Sequence, residues 1–301
     1  MLYATDHFAL PLPPGHRFPV SKYARLRERV AALAADQLAV PDAATAAELG
    51  LAHDPDYVAA VQAGALDAAA RGRIGFPWSP QMVERARRST GATIAACRTA
   101  LRTGGAVNLA GGTHHAHRAA GAGFCVFNDA AVATRTLQAE GRVERVIVID
   151  LDVHQGDGTA AMLAGDGSVF TLSLHGRNNY PFRKCASDLD IELADGTDDA
   201  GYLAVLRAVL PAVLTKVRPQ LAIYLAGADP YAGDRLGRLA LSKPGLAARD
   251  RVVLDALQRR NVPVAIAMAG GYAHDIEDVV DIHLATTVLA LDRFGPARVV
   301  R

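Results

Sequence analysis

The sequence predicts an α/β domain built on a mostly parallel β-sheet, and three observations carry that prediction. Five short apolar runs, over residues 106–110, 143–149, 169–174, 221–225 and 262–268, alternate with stretches of helical periodicity. The runs are mostly continuous rather than strictly alternating, which is the signature of strands covered on both faces. Four of them end in GGTHHAH, DLDVHQGDG, AGADPYAGD and AGGY, at the strand ends where open parallel sheets place their sites.

The N-terminal third reads as helical. Ser21 is placed to cap a helix whose apolar residues Tyr23, Leu26, Val30 and Leu33 follow helical spacing. Asp54-Pro55 starts a helix running through 57–66, and Ser79-Pro80 starts another over 82–89. A further helix is expected over 93–101. From about residue 105 the strands begin, with helices expected between them over 129–140, 198–216 and 244–260, and over 274–289 after the last. This alternation implies βαβ units with right-handed crossovers. Without an internal repeat or a composition break, one domain over 1–301 is expected. The segment 175–197 (HGRNNYPFRKCASDLDIELADGT) fits neither element and is read as a long connection, either functional or a solvated insertion.

Composition narrows the class. With 50% hydrophobic and 21% charged residues the chain is neither disordered nor fibrous. A formal net charge of +1 supplies no overall field to draw nucleic acid or an anionic membrane, so neither is expected as a partner. No apolar stretch is read as long enough to span a bilayer, and no targeting segment is visible, so a cytoplasmic, bacterial-type protein is expected. Cys97, Cys125 and Cys185, with no C-x-x-C, argue against a disulfide scaffold or a thiolate zinc site.

The chemistry concentrates at the four strand ends. Asp150, Asp152 and His154 follow one strand at i, i+2 and i+4, so their side chains point the same way in an extended segment. Three such groups are costly to bury unless paired or bound to a cation. Two of them can ligate a metal, with an aspartate from a neighbouring strand end as the third ligand. Asp229 lies nearer its strand than Asp234, which is the candidate for shaping the turn. One imidazole and two carboxylates suit a catalytic divalent metal. His114 and His115 follow a Gly-Gly pair and could serve as base and acid beside that metal, and Tyr272 could donate to an oxyanion. The bland alternatives are a hydrogen-bonded carboxylate network, a His-rich surface loop that includes His117, and a packing aromatic.

Taken together, GGTHHAHRAAGAGFCVFND, VIVIDLDVHQGDGT, SLHG, GADPYAGDRLGRLALS and AGGY resemble the histone deacetylase superfamily. The features GHRFPVSKY and HDPDYVAAV, with the NNYPFRK loop, look most like its class IV-type branch and bacterial relatives. The resemblance implies the arginase–deacetylase fold, a single three-layer domain with a sheet of about eight strands. It implies zinc, with Fe(II) as the alternative, on Asp152, His154 and Asp229. Asp150 and Asp157 become the partners of His114 and His115, with His115 as general base and Tyr272 polarising the scissile carbonyl. Structural potassium is implied at Asp150, Asp152, His154, Ser173 and Leu174. Gly123 and Phe124 match one wall of an acyl-lysine channel, and Tyr180 or Phe182 supplies the other. The implied activity is a metal-dependent deacylase acting on acylated lysine in a peptide or protein, or on a small acylated amine such as an acetylpolyamine. A noncatalytic acyl-amine-binding protein is the reading from another class. No rim aspartate of the class I kind is found; Arg177, Arg183 and Lys184 are candidates to meet an anionic substrate group.

Overall fold

A computed structural model describes residues 1–295, so 296–301 of the expected domain lie outside the described residues. The elements in chain order are β1 (Leu2–Tyr3), α1 (Ser21–Ala34), a 3-10 turn (Ala35–Gln37), β2 (Leu38–Ala39), α2 (Ala46–Gly50), α3 (Pro55–Ala63), α4 (Ala68–Ile74), α5 (Pro80–Thr103) and β3 (Gly105–Asn108). There follow α6 (Asp129–Ala139), β4 (Val146–Asp150), α7 (Asp157–Leu163), β5 (Val169–Gly176), β6 (Leu189–Leu193), α8 (Asp199–Val217), β7 (Leu221–Leu225), α9 (Lys243–Gln258), β8 (Val264–Ala267) and α10 (Ile276–Phe294). The eight strands form one open sheet in the order β2-β1-β3-β8-β7-β4-β5-β6, and every pairing is parallel.

The central strands are apolar throughout because each feeds two cores. Ala222 and Tyr224 of β7 face a core shared with Leu26 of α1, Leu206 of α8, Val253 of α9 and Val279 of α10. Leu221, Ile223 and Leu225 face the other core, with Ile94 and Cys97 of α5 and Val132 of α6. The five runs expected to be strands all fall in this sheet, as β3, β4, β5, β7 and β8.

Several expectations change. Helix α1 begins at Ser21 itself, and its cap residue Val20 already has helical dihedrals, so the Ser21 hydroxyl has no capping geometry to adopt. The helices expected over 82–89 and 93–101 are one helix, α5. Gly91, which lies in the gap between them, is there for clearance: a Cβ would lie 2.0 Å from the Asp42 carbonyl oxygen. The segment 175–197 contains β6, an edge strand whose Leu189, Ile191 and Leu193 alternate with Asp190 and Glu192. Strands β1 and β2, at two residues each, are too short to show a period. Helix α8 is long and apolar enough to cross a membrane by length and composition, contrary to the reading that no such stretch exists. Here it buries Tyr202, Leu206 and Leu210 in the core and packs on α9.

The caps at Asp54 and Ser79 form as expected. Asp54 accepts from Asp56 N at 2.9 Å, and Ser79 Oγ accepts from Met82 N at 3.0 Å.

Candidate active site

Parallel pairing brings the carboxyl ends of β3, β8, β7 and β4 side by side. The four unusual sequences therefore meet at one edge, around a pocket of about 420 Å³. Its floor holds Asp152, His154 and Asp229, and its walls include His114, His115, Phe124, Tyr180 and Tyr272.

The ligand atoms of Asp152, His154 and Asp229 all lie within 4.8 Å of one another. His154 Nδ1 is 3.0 Å from Asp152 Oδ1 and 3.3 Å from Asp229 Oδ2. Both aspartates are buried, and Asp229 Oδ2 has no hydrogen-bond partner among the described residues. Asp229 Oδ1 accepts from Val153 N at 2.9 Å, so one carboxylate oxygen is anchored and the other is left bare toward the cluster. Burial, then the neighbouring Asp152 charge, pushes the Asp229 carboxyl up to about 7. A bare, buried oxygen beside a second carboxylate and an imidazole fits a divalent cation.

The two histidines are each held by their own carboxylate. His114 Nδ1 lies 2.7 Å from Asp150 Oδ2, and His115 Nδ1 lies 2.7 Å from Asp157 Oδ1. An ionised carboxylate only accepts, so each Nδ1–H donates and each Nε2 is left for other work. The environments push the rings apart. Burial opposes charge on His114, but Asp150 and then Asp152 outweigh it and raise the imidazolium to about 9. Burial and repulsion from His114 lower His115 to about 4, against the pull of Asp157. Asp157 is itself held well below the usual carboxylate range: burial opposes ionisation, but hydrogen bonds from His115 and His117 outweigh it. His117, on which the alternative of a His-rich surface loop rested, reaches Asp157 Oδ2 at 3.1 Å and so belongs to this network.

Tyr272 projects from the AGGY segment with its phenol pushed well above its ordinary range, chiefly by burial. Gly123 and Phe124 both take positive φ, held by Gly123 N to Arg73 O at 3.0 Å and Phe124 N to Ile74 O at 2.8 Å. A Cβ at Gly123 would lie 2.8 Å from His115 Cδ2, so only glycine lets this wall close on the base. Opposite, the Tyr180 ring stands edge-on to His115 with centroids 4.8 Å apart. Phe182, the alternative for that wall, lines the pocket but is 86% exposed. Of the potassium set, Asp150 lies opposite Ser173 in the β4–β5 register, with Leu174 next in β5, and all three are buried. Asp150 Oδ1 accepts from Asp152 N at 3.1 Å.

Sequence reasoning missed the residues that hold these groups. Asp234 shapes its turn as expected, accepting from Leu236 N and Gly237 N, but its other oxygen accepts from Tyr272 N at 2.6 Å. Asp129 accepts from Gly112 N, Thr113 N and Thr93 Oγ1, which fixes the loop before His114. Lys22, 2% exposed, donates to the carbonyls of Ala269 and Gly271 and so ties α1 to AGGY. Arg249 on α9 is wholly buried and donates to the carbonyls of Leu151 and Gly227, one strand end carrying Asp152 and the other Asp229. A charged residue in register with the apolar face of an amphipathic helix, beside Leu26 and Val30 or Leu246 and Val253, was the available signal for Lys22 and Arg249. Arg177, Arg183 and Lys184 do not line the pocket. Arg177 pairs with Glu192, and Lys184 donates to three backbone carbonyls of its own loop.

Known proteins are similar to this chain in sequence and fold. An uncharacterized protein of Picosynechococcus sp. is 44% identical over 286 residues, covering 94% of this chain and 95% of that one. Histone deacetylase 2 of Arabidopsis thaliana is 36% identical over 189 residues, covering 62% of this chain and 49% of its own, so the match spans about half of that relative. The crystal structure of an HDAC homolog complexed with SAHA superimposes with a TM-score of 0.81 at 25% identity, covering 96% of this chain and 83% of that one. The eight-stranded parallel sheet flanked by helices is thus the arginase–deacetylase fold. A family model described as the histone deacetylase domain matches residues 16–287, nearly the whole of the described chain, and this protein belongs to the histone deacetylase family.

Proposed function

We propose that this protein is a divalent-metal-dependent amidohydrolase that removes an acetyl or longer acyl group from the side-chain amine of lysine or a lysine-like molecule. One observation carries the reading. A ligand trio with a bare carboxylate oxygen lies in one pocket with Tyr272 and with His115, whose Nδ1 is held by Asp157 and whose Nε2 is free. Asp152, His154 and Asp229 would hold the ion, zinc or Fe(II). Such an ion supplies Lewis-acid polarisation of the amide carbonyl and acidifies a water. Asp150, Asp152, His154, Ser173 and Leu174 would hold a structural potassium, which the β4–β5 register supports by bringing Asp150 and Ser173 together.

The chain's own groups then divide the work. Phe124 and Tyr180 flank the alkyl chain and exclude water around it. His115 takes the proton of the attacking water at Nε2, because its Nδ1–H is committed to Asp157. The ionised Asp157 steadies the imidazolium that forms. His114, paired with Asp150, carries positive charge beside it and supports the developing negative charge. The Tyr272 phenol stays protonated and donates to the carbonyl oxygen as it becomes an oxyanion. His115 returns its proton to the departing amine.

The test is hydrolysis of an acetyl-lysine peptide by the purified protein, with and without a chelator, beside Tyr272→Phe and His115→Ala. Removal of the metal is expected to abolish turnover. Tyr272→Phe should lower kcat by about 10²–10³ and His115→Ala by about 10²–10⁴, with melting temperatures close to that of the parent. Undiminished hydrolysis under all three conditions would remove the site.

A further inference from the structure

We infer that the mouth of this pocket selects acyl-amines that carry a carboxylate at the end of the alkyl chain remote from the acylated nitrogen, and disfavours polycationic ones. The inference rests on the deacylase reading above and names its substrate class. Asp152 and Asp229 lie on the floor. Apart from them and the histidines, the charged side chains lining the pocket are Arg17, Lys22, Arg73 and Arg238, all cations. Lys22 is spent on two carbonyls, and the three arginines stand exposed.

Their placement is defined. The Arg17 guanidinium lies over the Phe124 ring, 5.1 Å from its centroid, so its N–H edge stays open to a ligand. The Arg73 carbonyl accepts from Gly123 N, which puts this residue beside the same wall. Among the described residues, neither Arg17 nor Arg73 has a carboxylate partner. Arg238 belongs to the Tyr180 side: its backbone N–H donates to Asn179 Oδ1, and Asn179 Nδ2 donates back to Leu236 O. It has an exposed partner in Asp195, 3.3 Å away. Two sides of the mouth thus carry cations, and a substrate reaching the floor passes between them. Like charge there raises the cost of entry for an acetylpolyamine, whereas a carboxylate gains a planar, bidentate partner.

A free α-carboxylate on a small acyl-amine and an Asp-rich peptide offer this same chemistry, and the assay separates them. Turnover is compared for acetyl-lysine peptides flanked by Asp, Ser or Lys, for Nε-acetyl-lysine and its amide, and for N1-acetylspermidine. At low salt the Asp-flanked peptide should exceed the Lys-flanked one in kcat/KM by about tenfold, and added salt should shrink the ratio. The acetyl-lysine acid should exceed its amide, with acetylspermidine last. A preference confined to the peptides would assign the arginines to peptide recognition, and one confined to the free acid would assign them to a small molecule. In the Arg17→Glu/Arg73→Glu/Arg238→Glu variant the order should invert; Arg17→Gln and Arg238→Gln should each narrow it. No charge preference, or one that survives the triple reversal, would overturn the inference. The order of Kd for the same peptides, read by anisotropy with a net-neutral dye, tests it without turnover. Absence of all hydrolysis therefore counts against the deacylase reading alone.

Discussion

Gly270 closes the ligand cluster from the side of β8. A Cβ there would lie 2.0 Å from Asp229 Oδ2 and 2.6 Å from Asp152 Oδ2, and its N–H donates to Asp152 Oδ2 at 2.8 Å. Gly270→Ala is therefore expected to push the two carboxylates out of position and weaken zinc binding by about tenfold or more, with the helical circular dichroism unchanged. Titration against a competing zinc chelator reads this directly, and an unchanged affinity would show that the backbone forms no cradle. At this scale the sequence was informative about chemistry and silent about clearance. Asp152, His154 and Asp229 were legible because their spacing and strand-end positions restrict what they can do. Asp234 was legible only as a turn residue, since nothing in its spacing says that its second oxygen holds the Tyr272 amide.

Helix α9 shows what an element contributes beyond its own stability. The helix is expected from sequence over 244–260, and the structure adds its cap, Ser242, whose Oγ accepts from Gly245 N at 3.0 Å. Its function depends on Arg249, which pairs with Asp250 and holds the backbone of the strand ends carrying Asp152 and Asp229. Asp250 in turn accepts from Tyr224 and Thr286, which links α9 to β7 and α10. Arg249→Met would leave the Asp250 charge buried without its cation, a loss of about 3–5 kcal/mol in stability. Urea denaturation measures that loss. Arg249→Lys should recover part of the stability but not the two-carbonyl clamp, so its zinc affinity should stay below that of the parent. A Lys variant equal to the parent in both measurements would remove the clamp. The same element-level view explains α5, where the Gly91 in the gap between two expected helices is a crossing point inside one.

For the whole molecule, the buried histidines held neutral contribute a pH dependence opposite in sign to that of the charged His114. His53 lies between α2 and α3 in the chain and far from the ligand trio in sequence. Its Nε2 accepts from the Asn128 amide at 2.9 Å, and its Nδ1 faces Arg118 O at 3.2 Å, which defines a neutral tautomer. Burial lowers it to about 4 from the usual 6.5. The unfolded chain therefore binds a proton that the folded chain refuses between those two values. The stabilisation is complete above pH 6.5 and is lost as pH falls toward 4, by about 2 kcal/mol at pH 5. His283, pushed well below its usual range by burial, acts in the same direction. Chemical denaturation at pH 7 and pH 5 should show the loss, and His53→Asn should reduce the difference between the two. A His53→Asn variant that loses as much stability between the two pH values as the parent would contradict the assignment.

The class of fold and the inventory of the site are legible in the residues alone. Five buried strands declare themselves because a two-faced strand must be apolar along its length, and a strand-end histidine or aspartate has few inexpensive roles. The residues also expose the family resemblance, since five motifs occur in order. Tertiary structure alone decided the remainder. Strands β1, β2 and β6 exist because neighbours pair with them: two are too short to carry a period and the third is an edge strand within a turn-rich segment. The merging of α5, the roles of Lys22, Asp129, Asp234 and Arg249, and the cationic mouth depend on residues distant in the chain meeting in space. Local periodicity records which face of an element is buried; it does not record which partner a buried charge will find.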